Sequence, residues 1–158
     1  MSSGAYSPYH MEEDSIQNRR ARFDYEITET IQAGIELLGA EAKALKFGRG
    51  KIAGAHVIVR GGEAYIVGMD IPPYQANNGP KDYEPDRTRR LLLTREQITE
   101  IQAAIKAAGL TIVPLRVYVK NRLIKVEIGL GKGKKKADKR EAIKKREWSR
   151  LRRNIETR

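Results

Sequence analysis

The C-terminal segment 132–158 is the feature that most limits how this chain can fold. It has thirteen Lys or Arg and four Asp or Glu residues, so it holds a net charge of +9 out of +11 for the whole chain. Between Lys134 and Arg158 it has no Gly and no Pro, and its composition favours a helix. Its apolar residues are too few to bury such a helix against a domain. We therefore expect an appendage, disordered in the free protein, that becomes helical on a polyanion.

The composition of the whole chain narrows the class of protein. There is no cysteine, and the two histidines, His10 and His56, are far apart in sequence, so we expect no disulfide and no metal site. No apolar run reaches the ~18 residues of a membrane helix, and the N-terminus lacks the apolar stretch of a signal peptide. We expect a cytoplasmic protein without a cofactor. A pI near 9.9 indicates nucleic acid as the partner.

Changes in composition along the chain divide it into three parts. Residues 1–17 are rich in Ser, Gly and acidic residues without periodicity, and we interpret them as a mobile leader. Residues 18–130 alternate apolar and polar side chains and form the domain. Residues 131–158 are the basic tail, and Gly131 and Gly133 at its start are interpreted as a hinge.

Alternating apolar residues predict about six short strands in the domain. The first strand is expected to begin at Phe23, to break at Gly34 and to resume over Ile35–Phe47, with a bend at Gly39. Two hairpins follow. One turns at Gly61-Gly62 and the other, whose inward residues include Val113 and Leu115, turns near Lys120-Asn121.

The segment from Thr94 to Gly109 carries the clearest helix signal of the chain. Thr94 with Gln97 three residues later is a capping box, Ile98 and Ile101 form an apolar stripe, and Gly109 occupies the C-cap position. Six strands and about three helices are most economically arranged as a closed OB-like antiparallel barrel, because closure removes the sheet edges. An open α+β sheet is the alternative.

The polar residues suggest binding rather than catalysis. No nucleophile and base can be paired from the sequence, and the carboxylates lie among arginines as on a solvated surface, so we do not expect an enzyme. Basic residues occur before the first strand and after the last strand, and a barrel whose termini meet would join them. In the tail, Trp148 lies among arginines, where its ring could stack on a nucleobase or pack on the barrel. These observations favour RNA binding.

Five stretches of the sequence resemble one known family. They are NRRARFDYEI (18–27), AGIELLGAEAKALK (33–46), PDRTRRLLLTREQI (85–98), VKNRLIKVEIGLGKGKK (119–135) and DKREAIKKREW (138–148). They are similar to the small protein B family, the SsrA-binding proteins of bacterial trans-translation. The resemblance implies an OB-like six-stranded barrel that binds the tRNA-like domain of tmRNA and delivers it to stalled ribosomes. It also implies a monomer, one copy per tmRNA, whose tail folds along 16S rRNA in the decoding centre and the empty mRNA channel.

The resemblance also implies two sets of site residues. The tmRNA-binding set is Asn18, Arg19, Arg20, Arg22, Gln32, Glu41, Lys43, Leu92, Thr94 and Lys125. The ribosome-binding tail set is Gly131, Gly133, Lys134, Lys135, Asp138, Lys139, Arg140, Lys144, Arg146, Trp148 and Ile155. The sequence departs from the family's usual residues at Gln32, Thr94, Ala137 and Glu156. A structural ribosomal protein or another rRNA-binding factor is the alternative function, followed by an RNA-modifying enzyme.

Overall fold

A computed structural model describes residues 15–74, 82–134 and 136–156 of the chain. Seven strands and four helices lie in these ranges. In chain order they are β1 (Ile16–Gln17), α1 (Ala21–Asp24), β2 (Tyr25–Ile35), α2 (Gly39–Lys46), β3 (His56–Arg60), β4 (Glu63–Val67), β5 (Arg89–Leu92), α3 (Arg95–Ala108), β6 (Thr111–Lys120), β7 (Leu123–Gly133) and α4 (Lys136–Glu156). Within these ranges no helix is both long and apolar enough to cross a membrane.

The strands form the closed barrel that the sequence predicts. Six of them follow the order β6-β3-β4-β5-β2-β7, and pairing of β7 with β6 closes the ring. Every pairing is antiparallel, and the short strand β1 adds to β6 as a seventh strand. Because β2 and β7 pair from Tyr25 opposite Gly133 to Gly34 opposite Lys125, the start of the domain lies beside its end.

Two bulges divide the apolar side chains into two clusters. The register shifts between Ile27 and Glu29 on β2 and between Pro114 and Arg116 on β6. Each extra residue moves the following side chains to the other face of the sheet. The prediction that Val113 and Leu115 face the inside of the barrel is therefore wrong, since both pack with Ala21 in a small separate cluster. The main core fills the barrel with fully buried residues that include Ile66, Leu91, Ile101, Ile112, Val126 and Ile128.

The first hairpin and the capped helix are confirmed. Gly61 and Gly62 both have positive φ, +59° and +77°, as the tight turn between β3 and β4 requires. The Gln97 backbone N–H donates to Thr94 Oγ1 at 3.2 Å, and the Thr94 backbone N–H donates to Gln97 Oε1 at 3.0 Å. Gly109 ends α3 in the left-handed conformation. These features depend on residues close in sequence, which is why the pattern predicted them.

The predictions for residues 21–47 are wrong in three places. Residues 21–24 form the helical turn α1, so β2 begins at Tyr25. Gly34 does not interrupt β2 but pairs on both sides of it. The segment predicted as a strand bending at Gly39 is helix α2. Its alternating alanines mimic a strand, but Ala is the best helix former and Glu41 accepts a hydrogen bond from the backbone N–H of Leu38 at 2.8 Å.

The basic tail is the helix α4, which agrees with its predicted helical propensity. That the tail is disordered in the free protein and becomes helical only on RNA stays a prediction. Gly131 and Gly133 are residues of β7 rather than a hinge. A Cβ at Gly131 would lie 2.8 Å from the Glu26 carbonyl oxygen, so close packing explains this glycine. The boundary between domain and tail therefore lies near Lys134.

Candidate nucleic-acid interface

Two rows of side chains cross the outer surface of the barrel. Residues opposite one another on antiparallel strands share a face, as do residues two apart on one strand. The first row is Gln17, Arg116, Glu127 and Gln32, and the second is Tyr118, Lys125, Gly34 and Leu92. We call these residues the outer sheet face. The residues that alternate with them, such as Val117, Val126 and Ala33, lie in the core.

The side chains of the outer sheet face hold one another in place. Arg116 Nε donates to Glu127 Oε2 at 3.2 Å, and its guanidinium lies 4.4 Å from the centroid of the Tyr118 ring. Burial raises the pKa of the Tyr118 hydroxyl. Arg116 remains 28% exposed, so this fixed cation is still accessible to a ligand. Beside it, Lys125 forms no ion pair among the described residues.

The arginines before β2 lie at one end of this face because Asn18 anchors them. Asn18 is buried, its Nδ2 donates to the Pro114 carbonyl at 2.9 Å, and its backbone N–H donates to the Leu115 carbonyl at 2.8 Å. The helical turn that follows leaves Arg19 and Arg22 at least partly exposed to solvent.

An open pocket of about 350 Å³ joins these arginines to the outer sheet face. It lies between Arg19 and Arg22 on one side and Arg116 and Glu127 on the other. Its lining carries three guanidinium groups and one carboxylate, and that carboxylate is already engaged by Arg116. Flexible cations at the rim and a fixed cation inside favour an anionic ligand such as a phosphate backbone.

The structure brings together most of the residues predicted to bind tmRNA, but not all of them. Gln32, Leu92 and Lys125 lie on the outer sheet face, and Asn18, Arg19 and Arg22 lie at its end. Arg20 is exposed at the N-cap of α1, where it pairs with Asp24 at 3.4 Å. Lys43 lies on α2, with its Nζ 5.0 Å from the centroid of the Tyr74 ring. Thr94 caps α3.

Glu41 differs from the other predicted residues because its carboxylate is inside the protein. Its side chain is 1% exposed and pairs with Arg87 and Arg89, the latter fully buried. Arg89 Nε donates to Glu41 Oε2 at 2.8 Å. Burial acts to raise the pKa of the Glu41 carboxyl, but hydrogen bonds from Arg87 and from the Leu38 backbone lower it from 4.5 to about 2. Glu41 thus stays charged and ties α2 to β5, and it does not face a ligand in this structure.

The described contacts between the basic tail and the domain lie around α1. The backbone N–H of Lys134 donates to the Asp24 carbonyl at 2.8 Å, and its Nζ donates to the Arg22 carbonyl at 3.0 Å. Further along α4, the Arg146 guanidinium lies 5.8 Å from the centroid of the Phe23 ring. The predicted meeting of the two basic segments is therefore present.

The remaining tail residues of the predicted site are exposed or lie outside the described part. Arg140, Lys144 and Trp148 are exposed, and Trp148 is 62% exposed on α4 rather than packed on the barrel. Lys135 lies outside the described residues, as do the side chains of Asp138, Lys139 and Ile155.

The sequence prediction missed three residues of this surface as site members. Arg116, Tyr118 and Glu127 lie on the last hairpin and were not among the predicted site residues. The alternation of apolar and polar residues along β6 and β7 indicates that these three side chains lie on one face of the sheet. Their position beside Gln17 and Gln32 depends on the pairing of these strands with β1 and β2. Among the described residues there is also no cluster of His, Cys, Asp or Glu that would hold a metal ion.

These features define a class of protein: a closed antiparallel β-barrel with a cationic outer face and a basic helical extension. Comparison with known proteins gives the family. Residues 15–157 match the family model described as "SmpB protein", and the chain belongs to the SmpB protein family.

Three relatives and one structure illustrate the match. The chain is 45% identical over 130 residues to the SsrA-binding protein of Gloeothece citriformis, covering 82% of this chain and 84% of the relative. The SsrA-binding proteins of Chlorobaculum tepidum (44%, covering 86% and 87%) and Sphingopyxis alaskensis (47%, covering 85% and 83%) are similar to it too. A chain from a solved structure described as "tmRNA-SmpB: a journey to the center of the bacterial ribosome" superposes with a TM-score of 0.65 at 38% identity, covering 82% of this chain and 94% of that one.

Proposed function

We propose that this chain is a cytoplasmic ribosome-rescue factor that binds the tRNA-like domain of tmRNA and delivers it to stalled ribosomes. It acts by binding RNA and carries no catalytic site of its own. The relatives are named SsrA-binding proteins, which supports an SsrA RNA as the ligand, and the description of the similar structure names tmRNA and the bacterial ribosome. The single observation that carries the proposal is the alignment of Gln32, Lys125 and Leu92 on the outer sheet face, next to the arginine pocket.

The outer sheet face is the proposed contact with tmRNA. In this arrangement Arg19, Arg22 and Lys125 neutralise phosphates, because their cationic groups reach solvent at one edge of the barrel. Arg116, fixed by Glu127, adds a cation that needs little further ordering, which lowers the entropic cost of binding. The proposed role of Glu41 is indirect, through the position of α2.

The tail helix is the proposed contact with the ribosome. Lys139 and Arg140, with the other basic residues of α4, neutralise phosphates of 16S rRNA in the decoding centre and the empty mRNA channel. Trp148 offers an exposed ring for stacking on a base. Full ordering of this helix on RNA, with one protein per tmRNA, is part of the proposal.

The test of the body contact is a titration of the full chain with the tRNA-like domain of tmRNA over a range of salt concentrations. Replacing Arg19 and Arg22 by Gln is expected to weaken binding and to make the log–log salt slope shallower by about 0.7 for each phosphate that is no longer neutralised. Lys106→Gln, which removes an exposed cation on α3, is the matched control and should change neither quantity. Equal slopes for the Arg19/Arg22 variant and the wild type would exclude this contact surface.

The test of the tail is a peptide-tagging assay on stalled ribosomes. Replacing Lys139 and Arg140 by Ala is expected to lower tagging while leaving the affinity for the tRNA-like domain unchanged. Loss of that affinity in the same variant would argue against the separation of the two contacts.

A further inference from the structure

The C-terminal end of helix α2 carries an aromatic pair that the outer sheet face does not include. The rings of Phe47 and Tyr74 lie 5.4 Å apart, centroid to centroid, at an interplanar angle of 31°. Phe47 is 64% exposed although it is among the most apolar side chains of the chain. We call these two residues the aromatic platform.

The local backbone builds this platform from a helix-ending motif. The backbone N–H of Gly48 donates to the Leu45 carbonyl at 2.9 Å, and that of Arg49 donates to the Ala44 carbonyl at 2.9 Å. This is the Schellman pattern, in which the residue after the helix adopts the left-handed conformation, and Gly48 has φ +74°. The motif turns the chain back at once, so Phe47 stays at the helix end and Arg49 returns toward Tyr74.

Two cations fix the ring of Tyr74 from both sides of the motif. Lys43, one helical turn before Phe47, has its Nζ 5.0 Å from the Tyr74 ring centroid. The Arg49 guanidinium lies 5.7 Å from the same centroid, and its Nη1 donates to the Tyr74 carbonyl at 3.0 Å. These contacts fix the position of the Tyr74 ring, so the platform is a pair of positioned rings and not a single exposed side chain.

The charge around the platform identifies the chemistry of its ligand. Lys43 and Arg49 lie against the Tyr74 ring, and Lys46 is the last residue of α2, next to Phe47 in sequence. None of the three forms an ion pair within the described part of the chain. An exposed ring flanked by unneutralised cations is the arrangement that stacks a base and neutralises the adjacent phosphates of a single strand. An acidic residue next to the ring would instead favour a basic protein partner.

We propose that the aromatic platform binds an unpaired nucleobase of the same tmRNA domain that the outer sheet face binds, by stacking on Phe47. Continuity supports this ligand, because β2 carries Gln32 and Gly34 on the outer sheet face and leads directly into α2, which carries Lys43. The inference rests on the proposed function and adds a second contact to it.

The experiment compares Phe47→Ala, Phe47→Leu and Phe47→Trp in the full-length chain, with the tRNA-like domain of tmRNA as the probe. Loss of the ring in the Ala and Leu variants is expected to weaken binding about fivefold or more, whereas the Trp variant should bind at least as tightly as the wild type. Leu keeps an apolar side chain, so it separates stacking from apolar contact. All three variants should melt near the wild-type temperature, because the side chain is mostly exposed.

Nucleotide-resolved chemical probing of the bound RNA supplies the second readout. Phe47→Ala is expected to expose one or two unpaired nucleotides that the wild type protects, with the rest of the footprint retained. Replacing Lys46 and Arg49 by Gln should make the salt slope shallower by about 0.7 for each phosphate that these cations neutralise in the wild type. Lys106→Gln should leave the slope unchanged.

Two results would contradict the proposed stacking on Phe47 while leaving the proposed function in place. One is a Phe47→Leu variant whose affinity and footprint equal those of the wild type, while the Arg19/Arg22 variant is still impaired. The other is a Phe47 variant that loses ribosome association with unchanged tmRNA binding, since the partner would then be another molecule. A wild-type chain that binds tmRNA no better than an ordinary tRNA of similar size would overturn both proposals.

Discussion

The outer sheet face and the tail helix α4 both present cations, but the protein holds them very differently. On the sheet, Arg116 is fixed by a carboxylate on one side and an aromatic ring on the other. On the helix, Arg140, Lys144 and Trp148 are exposed to solvent, and Arg146 lies against the ring of Phe23. A fixed surface suits one folded RNA of constant shape, because little side-chain order is lost on binding. A helix whose described side chains are mostly exposed leaves its cations available to a second RNA.

The two regions are linked through α1. This single helical turn exposes Arg22 next to the sheet, and its carbonyls at Arg22 and Asp24 accept hydrogen bonds from Lys134, at the base of the tail. Phe23, on the same turn, carries the contact to Arg146. The proposed tmRNA contact and the base of the proposed ribosome contact therefore share one piece of backbone.

The largest effect is expected from removal of the tail after Lys134. Peptide tagging on stalled ribosomes is expected to fall to background, while the melting temperature and the affinity for the tRNA-like domain stay close to the wild-type values. The cut keeps Lys132 and Gly133, which pair with Glu26 and Tyr25 in β2, so the barrel stays closed. A large fall in tmRNA affinity would show that the tail belongs to the same contact as the sheet.

The second largest effect is expected from Glu41→Gln, which tests how much the fixed surface depends on the interior. The substitution leaves Arg89 buried without its carboxylate, and breaking such a pair costs about 3–5 kcal/mol of unfolding free energy. Thermal or urea unfolding measures this loss. Glu41→Gln in the chain lacking the tail should lose the same amount, because the described attachments of the tail lie around α1 and not at this cluster.

The pH dependence of the same cluster gives an independent check. The folded pKa of Glu41, about 2, is below its ordinary value of 4.5, so its contribution to stability is fully present above pH 4.5. The contribution is lost as the pH falls from about 4.5 toward about 2. Unfolding experiments across this window should show a steeper loss of stability in the wild type than in Glu41→Gln. Parallel curves would contradict the assignment of this carboxylate.

A smaller effect, on RNA binding alone, is expected from Arg116→Lys. Lysine keeps the charge but cannot both contact Glu127 as a guanidinium does and lie flat over Tyr118. We expect a loss of tmRNA affinity of about fivefold, from weakened contacts worth about 1 kcal/mol, with tagging reduced in proportion. The exposed Arg95 on α3 is the control, and Arg95→Lys should leave the affinity unchanged.

The smallest effect is expected from Phe23→Ala, which removes the ring under Arg146. An exposed cation–π contact is worth about 0.5–1 kcal/mol, so the stability of the domain should hardly change. The expected result is greater mobility of α4, measured by nitroxide labels on the helix or by amide exchange of residues 143–152. Unchanged mobility would mean that the contact between Arg146 and Phe23 does not set the direction of the tail.

Residues close in sequence account for most of what could be predicted. The hairpin at Gly61-Gly62, the cap of α3 at Thr94 and the helical tail each depend on neighbours within a few positions, and each is confirmed. Helix α2 was predicted wrongly because its alternating alanines mimic the period of a strand. The site residues were placed by resemblance to a family, and the pattern alone could not have shown that Glu41 lies inside.

Composition and periodicity were enough to predict the strands of a closed barrel, the capped helix and the concentration of positive charge at one end. Which of the described cations form an ion pair or a hydrogen bond within the protein depends on contacts that exist only in the folded chain. Glu41 meets Arg87 and Arg89 across more than forty residues, and Lys134 meets Arg22 across more than a hundred. Such contacts form when strand pairing closes the barrel and brings distant parts of the chain together. For Glu41 and Arg89, burial adds a reason to pair, because an unpaired buried charge is costly.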